Sequence, residues 1–84
     1  MEEKIIFNYS KVKGLIKEKY ETQERFAKAV NMSRTAISQR LNNIIDFSDK
    51  EIVKWCIALG IEFKNIPIYF FAAEVQKHEQ NKTA

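Results

Sequence analysis

One cysteine, one histidine, one proline and two glycines in 84 residues set the first limits on this chain. A lone Cys56 cannot close an internal disulfide, and its expected place is the core. Cys56 and His78 are too few for a multi-ligand metal site, so neither metal nor cofactor is expected. Scarce Gly and Pro beside 45% hydrophobic residues disfavour a turn-rich β structure and favour an all-α fold. No apolar run approaches the roughly 20 residues of a membrane span. The opening MEEKIIFNYS has neither the basic start nor the long apolar core of a signal peptide, so a cytoplasmic protein without membrane partners is expected. A glycine-rich phosphate loop is missing, no Ser/His/Asp set stands out, and the carboxylates are scattered as solvated charges. The chain is therefore not expected to be an enzyme. No small-molecule ligand is evident.

What is present centres on Thr22 to Asn42, TQERFAKAVNMSRTAISQRLN. Phe26, Ala27 and Val30, then Met32, Ile37 and Leu41, recur at helical spacing with polar residues between them. The pattern predicts two short helices with one buried face each. Thr22 and Ser33 are suited to cap them, Glu24 sits well at the positive end of the first helix dipole, and Asn31 tolerates the left-handed turn between them.

This run resembles the helix-turn-helix of the lambda repressor and Cro family. Gln23 opens the first helix, Ala27 sits where the two helices touch, Met32 is the turn hydrophobe, Ser33 the cap and Ile37 a core residue. Two positions depart from the pattern: Asn31 stands where the turn usually has Gly, and Arg40 where an apolar residue is more common, with Leu41 supplying the core contact. The resemblance implies a compact five-helix bundle of the lambda repressor-like type. It also implies a small phage-type transcriptional regulator, at work in a bacterial or phage-infected host cytosol. Ile66 to Phe71 is similar to the start of the last helix in such regulators.

The remaining sequence reads as scaffold for one domain over 1–84, with a core over about 8–75 and a polar tail over 76–84. A first helix is expected from Asn8 or Ser10 to about Tyr20, with Val12, Leu15, Ile16 and Tyr20 on one face. Ser48-Asp49-Lys50-Glu51 is a capping box flanked by the Phe47/Ile52 staple, and the helix it starts should end at Gly60. Pro67 fits the first turn of a fifth helix carrying Ile68, Phe71, Ala72 and Val75.

Net charge is +3, permissive for nucleic acid without being diagnostic. Arg34 and Arg40 lie in a stretch, 33–43, that holds no acid. In the implied arrangement the second motif helix enters the major groove of double-stranded DNA. Arg34, Thr35, Ser38 and Gln39, opposite the apolar face, are then candidates for base edges. Gln23, Ser33, Arg40, Asn42 and Asn43 are candidates for phosphate. Lys11, Lys13 and Lys17 read as a solvated face. One short helix reads few base pairs, so a homodimer on an operator is expected, with Ile68, Tyr69, Phe70 and Phe71 as its contact. A second reading stays open: the same outward residues meet a protein partner without sequence-specific DNA binding.

Overall fold

A computed structural model describes residues 3–77. Its elements run β1 (Glu3–Phe7), α1 (Ser10–Tyr20), α2 (Gln23–Ala29), α3 (Arg34–Leu41), α4 (Asp49–Leu59), a single 3-10 turn (Phe63–Asn65), α5 (Ile66–Phe70) and β2 (Ala73–Lys77). Five α-helices are present among the described residues, as the pattern predicts, but the fold is not purely α. β1 and β2 pair antiparallel with Ile5 opposite Val75 and Phe7 opposite Ala73, joining the two ends of the described chain.

The difference arises at the fifth helix. α5 stops at Phe70, whose side chain is almost fully buried, and the backbone leaves helical geometry at Phe71. Val75, expected on a helical stripe, is instead an exposed strand residue across from Ile5. Extended backbone at 73–77 finds its hydrogen bonds on β1, a pairing nearly the whole chain apart in sequence. Asn8 extends the ladder by donating its N–H to the Ala72 carbonyl at 2.9 Å. Its side chain also accepts from the Ser10 N–H at 2.9 Å, which starts α1.

The helical boundaries follow local chemistry. Ser48 and Glu51 form the reciprocal capping box of α4. That helix ends where Gly60 adopts φ +72°, a conformation costing an L side chain roughly 1–2 kcal/mol. The face Ile52, Trp55, Cys56 and Leu59 is buried as its spacing predicts. Trp55 is the hub of the core, meeting Phe26 and Phe47 edge-on with ring centroids 4.7 Å apart in each pair. Such aromatic pairs contribute about 0.5–1.5 kcal/mol each beyond burial. The Tyr20 hydroxyl donates to the Ala58 carbonyl at 2.8 Å and fastens the end of α1 to α4. This frame holds α2 and α3 against α4 and leaves the outer side of α3 open.

Candidate functional site

The α2–α3 unit is built from two capped starts and one left-handed turn. Thr22 accepts the Arg25 N–H at 3.1 Å, and Ser33 accepts the Ala36 N–H at 3.0 Å. Between the helices Asn31 has φ +59°, the conformation in which Asn is the most tolerant residue after Gly. The Met32 N–H then reaches back to the Ala27 carbonyl at 2.9 Å. Met32 also turns its sulfur to the core, where Trp55 Nε1 donates to it at 3.4 Å. Ile37 and Leu41 are buried, so Leu41 does supply the core contact at the end of α3.

With that face inward, α3 leaves Arg34 and Thr35 exposed and Ser38 and Gln39 partly so. Gln23, at the first position of α2, joins them. These five side chains line one open depression of about 270 Å³. The four base-edge candidates and one phosphate candidate thus occupy a single polar cradle.

The other phosphate candidates are held elsewhere. Arg40 lies inward: its Nε and Nη2 donate to the two carboxylate oxygens of Glu51 at 3.2 and 3.0 Å, and Nη1 to the Ala36 carbonyl at 3.3 Å. The pair is mostly buried and neutralises the second cation of α3. The Arg40 guanidinium also holds the Glu51 carboxyl below its ordinary range, against the opposing effect of burial. Arg40 is therefore a strut between α3 and α4, not a free cation for phosphate. Asn43, at φ +61°, accepts the Phe7 N–H at 2.8 Å and donates to the Phe7 carbonyl at 2.9 Å. It acts as a further partner for β1, which fixes the orientation of its amide. Asn42 donates to the Ser38 carbonyl and hydroxyl at 2.9 and 3.1 Å. Ser33 stays exposed, with its hydroxyl engaged as the α3 cap.

Two further features lie next to α2 and α3 in the chain. Glu21 and Glu24 lie exposed at the start of α2, Glu21 paired with Arg25. Beyond α3, Ile44 and Ile45 are 68% and 40% exposed on the segment leading to Asp46. Neither isoleucine was assigned a role by helical spacing, although an apolar pair outside any amphipathic pattern is visible in the sequence. Of the dimer candidates, Phe70 is removed from any surface, 1% exposed and edge-on to Phe47 at 5.3 Å. Tyr69 is half-buried, while Ile68 and Phe71 are exposed. Cys56 is buried, and burial pushes its thiol pKa up, away from reactivity. Among the described residues no group of three or more potential metal ligands gathers. No helix there is long and apolar enough to cross a membrane. His78 lies outside the described residues.

A family model described as "Protein of unknown function (DUF739)" matches residues 5–73, from β1 through all five helices to the first residue of β2. The chain belongs to the DUF739 family. One solved relative is similar in both sequence and shape: the solution structure of the modulator of repression of the temperate bacteriophage TP901-1 from Lactococcus lactis. It is 38% identical, with a TM-score of 0.70, over 77% of this chain and 88% of that one. No curated protein matches the chain. The DUF739 chain is thus similar to a phage regulatory protein, and its α3 cradle lies inside the shared family region.

Proposed function

We propose that this chain is a small, non-enzymatic phage regulator that modulates repression by docking the exposed face of α3 onto a protein of the repression machinery. The observation that carries this reading is the make-up of the exposed side of α3, a polar cradle with one free cation, Arg34, together with Ile44 and Ile45 exposed just past the end of the helix. A surface that meets only phosphate and base edges has little use for two exposed isoleucines. The buried core of a protein interface is more apolar than the surrounding surface, with Arg the one charged side chain enriched there. Neutralisation of Arg40 by Glu51 and the two glutamates at the start of α2 point the same way. The name of the solved relative, a modulator of repression, agrees with a protein that acts on another regulator.

The second reading is direct, sequence-specific recognition of an operator by α3, as the resemblance to the lambda repressor and Cro family implies. Gathering of Gln23, Arg34, Thr35, Ser38 and Gln39 in one cradle favours it. Arg34 would pair with guanine and Gln39 with adenine, Gln23 would meet a phosphate, and two copies would be needed for an operator. Exposed Ile68 and Phe71 would then offer the contact between copies.

Binding of the full chain to a random-sequence duplex, followed by fluorescence anisotropy across a salt series, separates the two. Direct readers bind nonspecific duplex at about 10⁻⁴ to 10⁻⁶ M at physiological salt, with log affinity falling linearly against log salt. The protein-docking reading expects no binding in that range by this chain alone. Saturable, steeply salt-dependent binding that Arg34→Ala weakens and Ile44→Ser leaves unchanged would overturn it in favour of the operator reading.

A further inference from the structure

Behind the α3–α4 connection lies a crevice of about 180 Å³ that shares no residue with the cradle. Its walls are aromatic. Phe7 and Tyr9, Phe47, and Phe70 and Phe71 come from three separate parts of the chain. Phe7 meets Phe71 edge-on at 5.9 Å, and Phe47 meets Tyr9 and Phe70 edge-on at 5.3 Å each. The one charge on the lining is Asp46, exposed and with no cationic partner among the described residues. Tyr9 is 6% exposed, yet its hydroxyl makes no hydrogen bond to any described residue. Burial first, and the nearby Asp46 charge second, push its phenol pKa up.

The chemistry of the lining selects its occupant. A volume of 180 Å³ lies below the roughly 300–1,000 Å³ of sites for drug-sized ligands and suits a single long side chain. Aromatic faces attract a cation, Asp46 supplies the opposite charge, and the Tyr9 hydroxyl is an acceptor without a donor. Anions are repelled by Asp46, and a purely apolar side chain would leave both polar groups unanswered. A guanidinium has five donors on a flat, weakly hydrated group that stacks on aromatics, which an ammonium lacks.

We propose that the crevice formed by Phe7, Tyr9, Phe47, Phe71 and Asp46 is a receptor for an arginine side chain of a protein partner. The site does not rest on what α3 binds. It gives the chain a second, charge-selective contact that shares no lining residue with the cradle.

The test is NMR titration of the full chain with N-acetyl-arginine amide, following the ring signals of Tyr9, Phe47 and Phe71. The control is N-acetyl-citrulline amide, the neutral isostere. A saturable millimolar response to the arginine probe is expected. It should weaken by about fivefold, the loss expected from one exposed ion pair, both for citrulline and in Asp46→Asn. Arg34 and Gln39 signals should stay in place, which separates this site from the cradle. Phe71→Ala, at a half-exposed position that does not endanger folding, should weaken the arginine response as well. Equal responses to arginine and citrulline, an unchanged affinity in Asp46→Asn, or no saturable ring shift would each overturn the proposal. So would concentration-dependent ring shifts without any probe, which would show a second copy of the chain filling the crevice.

Discussion

Glu51 is the side chain whose replacement tests the arrangement of α3 and α4 most directly. One of its oxygens accepts the Ser48 backbone N–H at 3.1 Å and Arg40 Nε at 3.2 Å, and the other accepts Arg40 Nη2 at 3.0 Å. Glu51→Gln keeps the size and the capping acceptor but removes the charge opposite Arg40. The two side chains are 16% and 24% exposed, between surface and interior. Exposed pairs are worth about 0.2–1 kcal/mol, and breaking a fully buried one costs about 3–5 kcal/mol. The substitution should therefore cost about 1–2.5 kcal/mol. At about 4–8 °C per kcal/mol for a domain of this size, the melting temperature should fall by about 4–20 °C, read by circular dichroism at pH 7. The pH dependence carries a second signature. Arg40 lowers the folded-state pKa of Glu51 from its ordinary 4.5, so the unfolded chain takes up the proton first. The stabilisation is fully present above that ordinary value and is lost as pH falls through the lower folded-state value. Below pH 4.5 the parent chain should lose stability more steeply than Glu51→Gln, and the two curves should converge. A Glu51→Gln chain within about 0.5 kcal/mol of the parent at pH 7, or parallel curves in acid, would refute the reasoning.

Four other outcomes follow from the same structure. Ser48→Ala removes the side chain that caps α4 and should cost about 1 kcal/mol, seen as a lower urea midpoint with unchanged slope. Asn43→Gly permits the positive φ but deletes both bonds to Phe7, so amide exchange in β1 and β2 should accelerate while α4 stays protected. Phe70→Ala empties a fully buried site and should cost about 3–5 kcal/mol in denaturant unfolding, whereas Phe71→Ala, 51% exposed, should cost far less. Gly60→Ala meets only the flexible Lys19 amino group, at 3.6 Å, so its cost should be the backbone term alone, about 1–2 kcal/mol in thermal unfolding.

Legibility in the sequence follows the range of the physics involved. The capping box at Ser48, the left-handed end at Gly60, the caps at Thr22 and Ser33 and the turn at Asn31 depend on neighbours within a few positions. They stand where their local chemistry puts them. The outward set Arg34, Thr35, Ser38 and Gln39 follows from helical periodicity in the same way. The β ribbon does not. EKIIF and AEVQK are weak strand signals alone, and their partner groups lie some 70 positions apart. The helical spacing of Ile68, Phe71, Ala72 and Val75 competed with that pairing and lost once Phe70 turned into the core. Arg40 is a case between the two. Its departure from the apolar preference of the resembling family marks the position as unusual, but its partner Glu51 emerges only when the start of α4 folds beside α3.

These long-range contacts decide what α3 can offer a ligand. Its C-terminal end is anchored twice, to α4 through Arg40–Glu51 and to β1 through Asn43 and Phe7. Anchoring makes the helix end rigid, and it also commits the Arg40 guanidinium to Glu51 and fixes the Asn43 amide on Phe7. The groups left free are Gln23 and the outward side chains of the first two turns of α3, with Ile44 and Ile45 exposed after the helix. The docking proposed for α3 would rest on that cradle and its one uncommitted arginine, Arg34. The same anchor brings Asp46 to the aromatic crevice by fixing where the chain leaves α3. A chain with Asn43→Gly and Glu51→Gln together should therefore weaken α3 docking and the arginine response of the crevice alike, although neither residue lines either site.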